Sequence, residues 1–320
     1  MNEITTTRSN HLIDPNLHVW GSEVAVYLFL GGLVAGIMVL IGLRMLYRSP
    51  GRSSPMLALL PWAAPVLLSV GMFSLFLDLE NPFNALRFYV VLRPTSPMSW
   101  GSWILVAVYP VSILLAIAST PAAVRERMLS RLTFVPGLAD VERLAIRHLR
   151  TLAAASVVLG VGLGVYTGLL LGTMAARPVW NSAILGPLFL TSGVSTAAAF
   201  MLLYRLADDE RRFLGRLDMG LIAVELALLS MWLIGLATGG SAARAAAALF
   251  LGGPYTAAFW TMVVALGLIA PLAGEWIEHR HGLVPGRATA AFVLIGGFSL
   301  RWILVSAGQH AAWVTDLVAH

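Results

Sequence analysis

Ionisable side chains set inside long apolar runs are the residues of this sequence that need a chemical reason. Glu23 stands at the start of one such run, with Tyr27 one turn further on the same face and His18 and Trp20 just before it. Asp78 and Glu80 close a second run beside Asn81 and Pro82, and Glu225 lies inside a later one. Arg301 sits deep in the last run, while Glu275 and Glu278 end the run before it. At the centre of a lipid-spanning helix such a group costs about 2.5–3.5 kcal/mol on insertion scales, so it faces an interior, finds a partner or carries protons. Plainer roles exist for each. His18, Trp20 and Tyr27 suit interfacial anchors, and Glu225 with Arg301 suits an ion pair between helices. Asp78 and Glu80 suit a helix-ending turn. Glu275 and Glu278, beside His279, Arg280 and His281, suit a solvated helix end.

A second set gathers at a membrane interface. The stretch from Arg93 to Trp103, RPTSPMSWGSW, joins a loop with two prolines directly to an apolar run. Pro97 suits a first helical turn, where its missing N–H is no loss. Trp100 and Trp103 then lie at interface depth on nearby faces, and Arg177, Trp180, Asn181 and Ser182 fall at the same level. With Glu23 and Tyr27 these make a slot with flat walls and polar ends. Such a slot suits a quinone headgroup, menaquinone or ubiquinone, which needs hydrogen bonds at two carbonyl oxygens and a proton donor on reduction. The expected contacts are Glu23 and Tyr27, then His18, Asp78 and Asn181, with Trp100 and Trp103 as walls. Asp78, Glu225, Glu275 and Arg301 are the candidates for a proton path toward the cytoplasm.

Other chemistry is disfavoured by what the sequence holds. There is no cysteine, which removes thiolate iron–sulfur ligation and disulfides within the chain. The seven histidines all lie at run ends, in loops or near a terminus, so no pair stands at matched depth to ligate haem. The expectation is a protein with neither haem nor iron–sulfur cluster of its own, and no metal site.

The elements that must hold these residues are helices across a lipid bilayer. The composition is 58% hydrophobic and 12% charged, about half the charged share of a soluble domain. Eight apolar runs are long enough to span, with expected ends at 21–46, 56–78, 98–119, 149–173, 183–206, 217–238, 255–277 and 288–309. They predict an all-α integral membrane protein in one multi-pass domain, 1–320, with no cleavable signal in its first twenty residues. The net charge of +5 reflects loop arginines that set topology, and points to no nucleic acid. Of the 21 basic residues, all arginine, 15 fall on connections 1–2, 3–4, 5–6 and 7–8 and five on the opposite side. The positive-inside rule then places both termini extracytoplasmically. Gly160, Gly164, Gly168 and Gly172 form a stripe on the fourth span, and Gly32 and Gly36 a shorter one on the first, of the kind that lets helix backbones approach closely. The longest connection, 120–148, is arginine-rich and amphipathic and is expected to lie along an anionic membrane face.

Several stretches in order resemble one family. RPTSPMSWGSW (93–103), YTG (166–168) leading to ARPVWNS (176–182), SLRWILVSAGQ (299–309), GGLVAG (31–36) and DLENP (78–82) together are similar to the NrfD/PsrC family of polysulphide reductase membrane subunits. The resemblance implies eight helices in two four-helix bundles in a bacterial or archaeal cytoplasmic membrane, with a quinone bound near the face where partners dock. It implies partners too: a ferredoxin-like subunit with [4Fe–4S] clusters and, through it, a molybdopterin or other redox catalytic subunit. The protein would then be a quinone-binding anchor that passes electrons between that partner and the quinone pool. The polysulphide reductase subunit has an Asn and a His in its first span at the quinone site. Aligning the span-one glycines puts Val24 and Tyr27 at those places, with Glu23 adjacent. A secondary transporter with an acidic intramembrane cation or proton site is the alternative.

Overall fold

The computed structural model describes residues 20–47, 54–78, 93, 95–131, 137–174 and 177–310. All regular structure among them is helical, and eight helices are long and apolar enough to cross a membrane. They are α1 Ser22–Tyr47, α2 Leu60–Leu77, α3 Met98–Ser119, α4 Leu149–Gly172, α5 Leu185–Leu202, α6 Asp208–Thr238, α7 Thr256–Arg280 and α8 Arg287–His310. The protein is an all-α multi-pass membrane protein. α6 begins well ahead of the apolar run expected from 217. Its first turn is Asp208, Asp209 and Glu210, acids that a helix N-terminus favours and that an apolar run does not reveal.

α1 and α5 are the most buried spans. α1 packs against α2, α4, α5 and α8, whereas α5 packs against α1, α4, α6 and α8. On one flank α3 rests on α4, and on the other α7 pairs with α8. Close crossings are made where glycine removes a side chain. A methyl group at Gly160 would stand 2.8 Å from the Ala35 carbonyl oxygen, and one at Gly193 would stand 2.6 Å from that of Gly32. Gly164 and Gly168 face Leu190 and Leu185 of α5 in the same way. The α4 stripe therefore seats α4 in the crease between α1 and α5. Van der Waals contact of this kind is the main source of helix association in lipid.

α7 departs from regular geometry. Its segment Phe259–Ile269 is a π-helix, and Pro271 follows in the next turn. Proline lacks the N–H that a regular ladder would use, and such widened turns often mark functional positions. At the same level Gly267 of α7 and Gly296 of α8 meet backbone to backbone.

Candidate functional site

The arginine-poor end of the bundle carries a cavity of about 490 Å³ between α3, α4 and the loop before α5. Thr95, Trp100, Tyr166, Leu169, Thr173, Asn181 and Ser182 line it, so an apolar wall carries a few polar groups. Two local features shape it. The helix of α3 opens at Pro97, one residue ahead of the span, which sets Trp100 one turn inside. Gly101 leaves room for the Tyr166 ring, which any side chain at 101 would strike.

Behind the cavity the 177–182 loop is pinned to the ends of α1 and α8. Arg177 Nη1 donates to the Gln309 carbonyl at 2.9 Å, and Trp180 Nε1 donates to the Leu304 carbonyl at 2.8 Å. Trp180 packs its ring on Trp20, centroids 5.1 Å apart, and fills the space that Gly308 leaves open. The Gln309 side chain closes the backbone of Trp20, accepting from its N–H at 3.1 Å and donating to its carbonyl at 2.9 Å. These bonds fix Asn181 and Ser182 against the cavity on a frame of two spans, α1 and α8.

A second polar group lies where α1 begins. Asp78, one residue past α2, accepts from the Gly21 N–H at 3.2 Å, and Ser74 Oγ donates to the Glu23 carbonyl at 3.0 Å. Burial pushes the Asp78 carboxyl above its ordinary range; the Gly21 N–H opposes this, and the nearby Glu23 charge adds to it. Tyr27 is buried one turn below Glu23. Of the residues expected at the slot, Trp100 and Asn181 meet in the cavity, while Glu23, Tyr27 and Asp78 form the separate α1–α2 group and line none of it. Trp103 is 40% exposed on the outer side of α3. His18 and Glu80 lie outside the described residues.

A third arrangement runs through the membrane interior. Arg301 of α8 is wholly buried and donates to Ser192 Oγ at 3.0 Å, to the Gly297 carbonyl at 2.8 Å and to the Phe189 carbonyl at 3.2 Å. Its guanidinium lies 5.1 Å from the Phe189 ring centre, and Gly32 makes room for it on α1. Glu225, also buried, faces Ser192 and Arg301. The two ionisable groups thus meet through a hydroxyl instead of forming the direct pair considered above. One turn along α5, Ser195 donates to Asp218 at 2.5 Å, and Asp218 faces Glu275 of α7. Glu275, expected to be solvated, is 2% exposed. The reason is the packing of α7 on α6, which covers the side of the helix that carries Glu275, while Trp276 and Ile277 beside it stay exposed. Beside it a cavity of about 20 Å³, lined by Arg212, Arg216, Glu275 and His279, opens at the arginine-rich end. That is room for about one water.

Tyr166, Asp218, Ser192, Ser195 and Gln309 are the residues that reading for charge missed. Tyr166 and Gln309 sit inside the YTG and SLRWILVSAGQ stretches, so a signal for them is present. Asp218 stands at the edge of an apolar run, where an acid reads as a loop residue. Buried serines carry no charge to mark them.

A family model described as Polysulphide reductase, NrfD matches residues 10–312. The sequence is similar to protein NrfD of Escherichia coli (strain K12), 32% identical over 306 residues covering 91% of this protein and 95% of that one. It is similar to a polysulfide reductase chain of Wolinella succinogenes, 30% identical over 310 residues, 92% and 95% of the two proteins. A selenate reductase subunit of Mesobacillus selenatarsenatis is 26% identical over 317 residues, 89% and 73%.

Proposed function

The chain belongs to the NrfD family, and from that premise we propose that it is the quinone-binding membrane subunit of a respiratory oxidoreductase complex. The observation that carries the reading is the cavity between α3 and α4. Its volume falls in the range of small-molecule sites, about 300–1,000 Å³. Trp100 offers a flat face for a planar ring, and the Tyr166 hydroxyl, Asn181 amide and Ser182 hydroxyl offer donors for its carbonyl oxygens; Thr173, whose hydroxyl donates to the Leu170 carbonyl, offers an acceptor to the reduced form. Glu23 and Asp78, with Tyr27 beneath, stand apart from the cavity and are assigned to relaying protons between the headgroup and the outer water; a carboxyl held above its ordinary range by burial suits that work.

The relatives named as parts of polysulfide and selenate reductases support partners of the same kind. The partners we assign are a ferredoxin-like [4Fe–4S] subunit and, through it, a molybdopterin or other redox catalytic subunit, in a bacterial or archaeal cytoplasmic membrane. The α1–α5 seam, with α2, α3 and α4 on one flank and α6, α7 and α8 on the other, supports a grouping into two four-helix bundles. The polar series Arg301–Ser192–Glu225 and Ser195–Asp218–Glu275 supports a proton path to the cytoplasm, with Asp78 at its far end. Glu275→Gln is expected to slow quinone-linked proton uptake from the cytoplasm at least tenfold while quinone binding stays unchanged. Equal uptake in reconstituted vesicles removes Glu275 from the path.

Gentle purification from the native membrane tests the whole reading. Mass spectrometry and lipid extraction are expected to find an iron–sulfur subunit and a quinone with the protein. Purification with neither contradicts the redox assignment and favours transport.

A further inference from the structure

The connection between α3 and α4 takes no part in the site. Its described portion holds two short helices, Ala122–Ser130 and Leu138–Arg147. The second runs through a single residue, His148, into α4, so the covalent chain keeps it at the membrane boundary. It has two unlike sides. At 100° per residue, Leu138, Val141, Leu144 and Ala145 gather on one side, and Arg143 and Arg147 lie opposite. Part of the apolar side is used: the helix packs on α3, and Ala145 is buried. The rest is bare, with Leu144 53% and Val141 38% exposed.

The pair is held rigidly. Arg125 Nε donates to Glu142 at 2.5 Å and so clips the first helix to the second. Arg125 Nη1 also donates to the Thr120 carbonyl at 2.9 Å, and Thr120 Oγ1 accepts from Trp62 Nε1 at 2.9 Å. The clip is thereby fixed to the ends of both α2 and α3. Arg143 pairs with Asp140. Arg127, Arg131, Arg147 and Arg150 are exposed and have no side-chain hydrogen bond or ion pair among the described residues.

We propose that these helices form an in-plane site for anionic phospholipid. Val141 and Leu144 enter the acyl boundary, and Arg127, Arg131, Arg147 and Arg150 hold headgroup phosphates. Bare apolar side chains on one side of the helix, with free guanidinium groups on its other side and on the adjoining segments, match a lipid, which offers both chemistries, and a soluble anion would leave the apolar side uncovered. The inference is independent of quinone binding.

The test uses the full-length protein in mixed micelles, with retained lipid counted by native mass spectrometry. The wild type is expected to retain phosphatidylglycerol at least tenfold over phosphatidylcholine. Replacing Arg127, Arg131, Arg147 and Arg150 by Gln should abolish that preference, and the double variant Arg127→Gln, Arg147→Gln should reduce it partway. Arg244→Gln, at the opposite end of the bundle, should leave it intact and serves as the folded control. A quadruple variant with the wild-type preference overturns the proposal. So does an equal loss in Arg244→Gln, or displacement of the lipid by inorganic phosphate at the same concentration.

Discussion

Asp78 accepts a hydrogen bond from the Gly21 N–H and stands near a like charge, Glu23, in a place where burial works against ionisation. The native state therefore holds this proton to higher pH than the unfolded chain, in which the ordinary value is 3.8. Stability contributed here declines as pH rises from that value through the raised native one. Asp78→Asn is expected to flatten this part of a pH series of thermal unfolding, and an unchanged slope would remove Asp78 as its source. Residues with charge, such as Asp78, Glu225 and Arg301, are legible because apolar surroundings make them conspicuous. Tyr166 carries no such mark, since a tyrosine in a span is ordinary until Gly101 is seen to make room for it across the α3–α4 contact. Charged groups announce themselves in a sequence; neutral hydrogen-bonding groups become visible when helices meet.

The helices themselves are the most legible level. Each span needs about 20 apolar residues whatever its neighbours, so length and composition alone mark it. Where the ends differ, a local cause is present, as with the acidic first turn of α6. The α4 glycines also signal packing, and the partners they meet are α1 and α5. Gly160→Leu should therefore destabilise the protein by about 1–3 kcal/mol or more, because the Ala35 carbonyl stands where the side chain begins. Gly162→Leu is the contrast, since its nearest neighbour is 4.0 Å away. Thermal unfolding in detergent should separate the two; equal effects would mean the stripe carries no special packing. The π-helical turn of α7 has no signal beyond Pro271, because hydrogen-bond register within a helix leaves apolarity unchanged.

At the scale of the molecule, the larger cavity lies at the arginine-poor end and the small Glu275 cavity at the arginine-rich end. Positive-inside reasoning puts the first outside the cytoplasm and the second toward it. The absence of native cysteine makes this simple to test. Arg244→Cys should react with an impermeant thiol reagent added outside intact cells, and Arg147→Cys should react only after the membrane is opened; the reverse pattern inverts the topology. How the α1–α2 acids stand relative to the cavity is beyond sequence reasoning. It depends on the Trp20–Trp180 contact and the Gln309 clasp, the latter joining residues 289 positions apart.

Equilibrium binding of a short-chain quinone to the purified protein tests the central claim most directly. Tyr166→Phe should weaken binding roughly fivefold, the equivalent of about 1 kcal/mol for one hydrogen bond. Trp100→Ala should weaken it at least as much through the loss of a stacking face. Wild-type affinity in both variants would contradict the account and move the quinone away from the α3–α4 cavity.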